Sequence, residues 1–261
     1  MATYLDRIIA DHRAQAAADP RSLEALLDDA RSQPPARGFT AALAGADGLA
    51  VISEVKRASP SKGELNVDLD PAAVAAAYES GGATCLSVLT DESWFRGSAA
   101  DLQAARAAVG IPVLRKDFTV AAADVCDART MGADAVLLIV AALDDAELAD
   151  FHALAVEVGL DVLVEVHDEP ELERALTVGA TLVGVNQRDL VTFEVDTERA
   201  VRMAPQMPDG VVRVAESGVR GVADATELAA AGYHAVLVGE SLVTAGDHAA
   251  AVAALRSVAR A

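Results

Sequence analysis

The sequence predicts a (β/α)8 barrel, an α/β TIM barrel, carrying an N-terminal helical extension. Three observations point to it. From residue 49 onward, eight short apolar runs rich in β-branched residues alternate strictly with eight longer Ala-rich amphipathic runs, the pattern of parallel strands and covering helices. Several helical runs stop at a glycine just before the next strand: Gly82-Ala83, Gly132-Ala133, Gly179-Ala180 and Gly232-Tyr233. Polar and ionisable residues gather at the C-terminal ends of the apolar runs, whereas the N-terminal ends are apolar or Gly-Ala. An open doubly wound sheet is the competing arrangement. No GxGxxG follows the first run, and a count of eight favours closure.

Residues 1–47 form the extension, which reads as helices and turns without strands and is too small to be an independent domain. The whole chain, 1–261, is therefore expected to be one barrel domain. Leu5, Ile8, Ile9 and His12 share one helical face and Leu23, Leu26 and Leu27 another, separated by the turn Asp19-Pro20-Arg21-Ser22 with Ser22 as the expected N-cap. Gln33-Pro34-Pro35 stops the second helix, and Phe39 to Leu43 can form a short third. The strands follow as Leu49–Lys56, Thr84–Leu89, Pro112–Arg115, Ala135–Val140, Val162–Val166, Leu182–Asn186, Val211–Glu216 and Ala235–Gly239. Helices are expected near 71–80, 99–108, 121–131, 144–157, 168–178, 197–204, 221–231 and 247–259. The four helix-stopping glycines suit left-handed C-caps, and their spacing of roughly fifty residues suggests internal repetition.

Composition narrows the function. Apolar residues make up 52% of the chain and aromatics only 3%, so the core is built from Ala, Val and Leu. A net charge of -19 argues against a nucleic-acid or anionic-membrane surface, but a local lysine cluster can still bind a small anion. Cys85 and Cys126 lack CxxC spacing and sit in apolar surroundings, as inert core thiols do. No apolar signal segment or membrane-length run is present, which leads to the expectation of a soluble cytoplasmic protein. The histidines show no ligand spacing such as HxxxH, and no metal is expected. A monomer is expected, with weak homo-oligomerisation as the alternative.

The barrel reading makes the strand ends the place to look for chemistry. Strand one ends in Glu54, Lys56 and, beyond, Ser59. Period-two alternation puts Glu54 and Lys56 on one face, and Ser59-Pro60-Ser61-Lys62-Gly63 then forms a loop rich in hydroxyls and backbone donors, suited to a phosphorylated anion. Strand two runs into a segment containing Phe95, strand three ends in Arg115-Lys116-Asp117-Phe118, and strand four ends near Leu137 and Ile139. Strand five ends in Glu165-Val166-His167 and strand six in Asn186-Gln187-Arg188-Asp189-Leu190. Strand seven ends in Glu216-Ser217-Gly218 and strand eight in Gly239-Glu240-Ser241. Each has an ordinary reading: a structural ion pair for Glu54 and Lys56, a surface lysine for Lys116, solvation for Glu165, a turn for Asn186, packing for Phe95, Phe118 and Leu190. Five strands ending in unforced charge at one rim weigh against all of these together. Gly218 and Gly239 let backbone N–H groups approach a ligand, and a short helix from Glu240 would add its N-terminal dipole at the usual phosphate site of such barrels.

Glu-Val-Lys-Arg-Ala-Ser-Pro-Ser-Lys-Gly from Glu54, the Phe95-Arg96-Gly97-Ser98 segment, Val-Leu-Arg-Lys-Asp-Phe, Leu-Val-Glu-Val-His, Gly-Val-Asn-Gln-Arg-Asp-Leu, Ala-Glu-Ser-Gly-Val and Leu-Val-Gly-Glu-Ser-Leu occur in that order between residues 48 and 243. Together they resemble the indole-3-glycerol-phosphate synthases. The resemblance implies a cofactor-free lyase of tryptophan biosynthesis, acting on a small phosphorylated substrate by ring closure, decarboxylation and dehydration. It implies Lys116 as general acid, Glu165 as base, and Lys56, oriented by Glu54, on the anthranilate carboxylate and the departing hydroxyl. Asn186, Arg188, Glu216 and Ser217 would hold polar and anionic groups, with Gly218 and Gly239 as backbone donors. Phe95, Phe118, Leu137 and Leu190 would form the apolar slot. The alternatives are a differently specific phosphosugar barrel, which need not carry both lysines with Glu165, and a non-catalytic phosphate-binding barrel.

Overall fold

Eight parallel strands close on themselves in the computed structural model, which describes residues 3–189 and 191–260. They are β1 (Ala50–Val55), β2 (Cys85–Leu89), β3 (Val113–Lys116), β4 (Ala135–Ile139), β5 (Asp161–Val166), β6 (Leu182–Asn186), β7 (Val212–Glu216) and β8 (Ala235–Val238). Each pairs in parallel with its sequence neighbours, and β8 closes onto β1 with Ala50 opposite Ala235. The alternation expected of such strands is met on two surfaces. Ala50, Ile52, Cys85, Leu114, Leu137 and Leu163 fill the barrel interior. Val51, Val55, Leu86, Val88 and Val136 face outward and pack under the helices. Parallel strands buried on both faces need such near-continuous apolar runs.

The covering helices are α4 (Pro71–Ser80), α6 (Ala99–Ala108), α7 (Ala122–Thr130), α8 (Asp145–Glu157), α9 (Glu169–Thr177), α10 (Arg199–Met203), α11 (Val222–Ala230) and α13 (His248–Arg256). Two single-turn helices at the strand C-terminal ends add α5 (Glu92–Phe95) and α12 (Glu240–Val243). Gly82, Gly132, Gly179 and Gly232 are all left-handed, with φ from 81° to 92°. Gly159 and Gly210 adopt the same conformation ahead of β5 and β7, so the apparent fifty-residue repeat reflects most helix-to-strand joints, not a duplicated unit.

The extension contributes α1 (Tyr4–Ala18), α2 (Leu23–Arg31) and α3 (Phe39–Ala44). Ser22 occupies the N-cap position of α2 but its hydroxyl makes no cap bond. Arg21 supplies the anchoring there, bridging Asp19 and, at 2.7 Å, Asp127 of α7. At the strand N-terminal end of the barrel, Phe39 and Leu43 of α3 are fully buried in the interior cluster. The backbone N–H of Thr40 donates to Asp161 at 2.8 Å, and that of Arg37 to Asp134 at 2.9 Å. This helix thus plugs the floor. At the opposite end α1 lies across the mouth, its Tyr4, Leu5 and Ile8 lining the cavity there. Cys85 and Cys126 are both buried, and burial raises both thiols. Among the described residues, no helix is long and apolar enough to cross a membrane.

Candidate active site

The strand C-terminal ends open on a cavity of about 670 Å³. Lys56, Lys116, Glu165 and Asn186, distant in sequence, all line it. The register explains their convergence. Lys116 pairs with Leu89, Glu165 with Ile139 and Asn186 with Glu216, so each is the last inward-facing residue of its strand. Glu54, one pair earlier on β1, lies opposite Ser87. The four carboxylate and amide groups are almost fully enclosed: Glu54 4%, Glu165 2%, Asn186 8% and Glu216 2% exposed.

Two ion-paired units line this cavity. In the first, Lys56 Nζ lies 2.5 Å from Glu54 Oε1. The ion pair of the ordinary reading therefore exists, but it lines the cavity. In the second, Lys116 Nζ donates to Glu165 Oε2 at 2.9 Å and to Glu216 Oε2 at 2.7 Å. Burial opposes the charge on Lys116, yet Glu165, Glu216 and Glu54 outweigh it and hold the ammonium above its ordinary range. Burial likewise opposes the charge on Glu165, but Lys116, His167 and Asn186 bring its carboxyl below the usual range. Glu216 moves the other way: burial dominates, Lys116 only partly offsets it, and Glu165 adds repulsion. Its Oε1 is buried without a hydrogen-bond partner.

Asn186 ties the second unit to the neighbouring strand ends. Its Nδ2 donates to Glu165 Oε1 at 3.0 Å, and its Oδ1 accepts from Ser217 Oγ at 2.8 Å and from the Arg188 backbone N–H at 3.0 Å. Asn186 thus orients Glu165 and Ser217 as well as facing the cavity. Ser217 and Gly218 are both left-handed, with φ of 64° and 77°. Arg188 also reaches the cavity, with Nη1 donating to the Phe193 carbonyl at 3.1 Å.

The expected apolar slot has three described members. Phe95 and Phe118 pack with ring centroids 6.2 Å apart, and Leu137 lies below the mouth at 2% exposure. Leu190 lies outside the described residues. Phe95 is placed by Asp91, whose Oδ1 caps α5 by accepting from the backbone N–H groups of Trp94 and Phe95. On the opposite side, Ser59 belongs to a two-residue antiparallel ribbon that pairs it with Gly63. Ser59, Gly218, Gly239 and Glu240 all line the cavity. Glu240 is paired with Lys62 at 3.1 Å. Gly239 has a reason the sequence did not disclose. A Cβ there would stand 2.3 Å from Glu54 Oε1 and 2.9 Å from Lys56 Nζ, so the glycine makes room for the first ion pair.

Four further residues contribute that were given no role from the sequence. Gly184 in β6 has the same function for the second unit: a Cβ would meet Glu216 Oε1 at 2.1 Å. A lone glycine inside a buried strand was its available signal. His167 and the aromatic residues Tyr4 and Phe193 are the others, the last two meeting at the mouth as a tilted pair with ring centroids 5.0 Å apart. His12, Asp91 and Asp117 are, among the described residues, the group with donor spacing suited to a metal. Their atoms are already engaged. His12 Nε2 lies 2.9 Å from Asp91 Oδ2, and Asp117 holds Thr90 and Arg115. The cluster fastens α1 to the rim.

The sequence model of the indole-3-glycerol phosphate synthases matches residues 5–255. The chain belongs to this family. It is 52% identical over 256 residues to indole-3-glycerol phosphate synthase from Mycolicibacterium vanbaalenii, covering 97% of this chain and 94% of that protein. It is 53% identical over 255 residues to the enzyme of the same name from Streptomyces griseus, with the same coverage of each. Among solved structures, thiamine phosphate pyrophosphorylase from Pyrococcus furiosus superposes with a TM-score of 0.61 at 17% identity. The overlap covers 80% of this chain and 95% of that one, and it speaks for the fold alone.

Proposed function

We propose that the cavity performs the family's reaction, converting 1-(2-carboxyphenylamino)-1-deoxyribulose 5-phosphate into indole-3-glycerol phosphate, carbon dioxide and water. The observation that carries the reading is the gathering of two lysines and three carboxylates on the floor of one cavity that also has an aromatic wall. Phe95, Phe118 and Leu137 take the anthranilate ring. Ser59, Ser217, Arg188, the backbone at Gly218 and Gly239, and the start of α12 take the phosphate and sugar oxygens, with Glu240 at the rim of that end.

Ring closure joins the aromatic carbon bearing the carboxylate to the ketose carbonyl carbon, leaving charge on the carbonyl oxygen. Lys116 delivers a proton to that oxygen. Its ammonium is held above the ordinary range, but an alkoxide is a still stronger base, so the transfer runs downhill. Loss of carbon dioxide then restores the ring. Lys56, oriented by Glu54, neutralises the carboxylate beforehand and assists departure of the hydroxyl as water. Glu165 accepts the proton released in that dehydration. Glu216 and Asn186 hold Lys116 and Glu165 in register, and Ser217 orients a ligand hydroxyl.

The test is an assay of the purified chain with this substrate, read by indole fluorescence, alongside Glu165→Gln. The wild type is expected to form product. The variant is expected to lose kcat by about a hundredfold or more with KM little changed, the usual weight of a general base. Unchanged kcat in Glu165→Gln removes Glu165 as the base.

A further inference from the structure

The C-terminal end of β5 carries a buried ring that the steps above leave unused. Period-two alternation along Glu165-Val166-His167 turns His167 to the same side as Glu165. Its side chain is only 11% exposed. His167 Nδ1 lies 3.0 Å from Glu171 Oε2, while Nε2 lies 3.5 Å from Glu165 Oε1, beyond hydrogen-bond reach and with no other partner.

The start of α9 is shaped to put a carboxylate behind this ring. Asp168 caps the helix, accepting from the Glu171 backbone N–H at 2.9 Å. A glutamate at that third position ordinarily reaches back to the N–H of the cap residue. Glu171 reaches one residue further, taking the His167 backbone N–H at 2.7 Å as well as the ring. With Nδ1–H given to Glu171, a neutral ring would aim a lone pair at the Glu165 carboxylate, whereas a protonated ring aims an N–H. Burial disfavours that proton, but Glu165 and Glu171 outweigh it and lift the imidazole to about 9.

The consequence falls on two carboxylates that are otherwise alike. Glu165 and Glu216 are equally buried and accept from the same Lys116 ammonium. Two carboxylates held on one ammonium in a dry site resist ionising together, so a proton taken up by the pair is shared between two competing positions and must settle on one of them. Only Glu165 has the Asn186 amide and the His167 ring beside it. Glu216 Oε1 has nothing.

We propose that His167, backed by Glu171, is a positioning residue whose imidazolium assigns the shared proton to Glu216 and keeps Glu165 ionised to act as base. This rests on the reading of Glu165 given above. The charged groups bearing on the pair are Glu54 from β1 and Lys56 just beyond it, Lys116 from β3, His167 beyond β5 and Glu171 from α9.

The experiment is the pH profile of kcat and KM for wild type, His167→Gln and Glu171→Gln. Without the cation, the shared proton spreads onto Glu165. His167→Gln is expected to lose kcat about tenfold on the acid side of neutrality, with KM little moved. The deficit should narrow above about pH 8, where neither carboxylate keeps the proton. Glu171→Gln, which can still accept the His167 backbone N–H, should shift the profile in the same direction by less. A general packing defect would instead lower kcat equally at every pH. A pH-independent deficit, or a His167→Gln profile superposable on wild type, overturns the proposal. Should His167→Gln fail to fold, the Glu171→Gln profile decides by the same criterion. Full activity in Glu165→Gln would instead overturn the underlying assignment of the base.

Discussion

Lys116 Nζ stands 2.9 Å from Glu165 and 2.7 Å from Glu216, so protonation of any one of the three groups alters the other two. On the proposed mechanism such coupling would let a buried lysine with a tightly held proton serve as an acid, because an alkoxide forming beside it would draw the proton off. His167 makes the same electrostatics visible in stability. Its imidazole is lifted from its ordinary range to about 9. A base raised on folding stabilises the fold fully below its unfolded pKa, near 6.5, and loses that contribution as pH rises through the folded value. Wild-type stability is therefore expected to fall between about pH 6.5 and 9 by on the order of 3 kcal/mol, and His167→Gln should flatten that slope. Chemical denaturation across this window measures it. Equal slopes in both proteins would show that the ring is not held charged.

At the scale of elements, two glycines, one in a strand and one just past a strand end, leave side-chain positions that neighbouring residues occupy. β6 leaves out a Cβ at Gly184 where Glu216 of β7 folds in, and the turn after β8 does so at Gly239 beneath Glu54 and Lys56. Gly184→Ala must push the Glu216 carboxylate away from Lys116, since the Cβ would lie 2.1 Å from Oε1. The expected result is a loss of kcat of about tenfold or more with the barrel still folded, seen as an unchanged far-ultraviolet circular dichroism spectrum. Wild-type kcat in Gly184→Ala would mean that Glu216 does not set the position of Lys116. These glycines illustrate the limit of reading one strand at a time. The ends of β1, β3, β5 and β6 were legible because alternation alone decides which residues point inward. That Gly184 makes space for a residue 32 positions later depends on register between strands, which alternation does not supply. The α9 start was hidden for a related reason: Asp168 and Glu171 look like an ordinary capping pair until the ring of His167 is placed beside them.

For the molecule as a whole, the eightfold alternation carried most of the architecture, and the strand bounds expected from Leu49–Lys56 or Leu182–Asn186 agree closely with Ala50–Val55 and Leu182–Asn186. The extension was legible as helices but not as a floor and a roof. Nothing local in Phe39 or Leu43 says that they fill the end of a barrel, and nothing in Tyr4 or His12 says that they meet Phe193 and Asp91. Both placements arise from tertiary packing of faces that periodicity can only mark as apolar. The acidity of the chain, -19 overall, leaves the lysines of the cavity as a local exception to the global field, which suits an anionic ligand more than a polyanion. On the proposed mechanism, turnover as a whole depends on Lys116 protonating the oxygen formed on ring closure. The most direct measurement is turnover of the carboxyphenylamino-deoxyribulose phosphate by Lys116→Ala, followed by indole fluorescence and paired with circular dichroism. The expected result is a kcat lower by about a thousandfold or more in a folded barrel, within the range for loss of a general acid. Product formation at near wild-type rate by that variant would contradict the account.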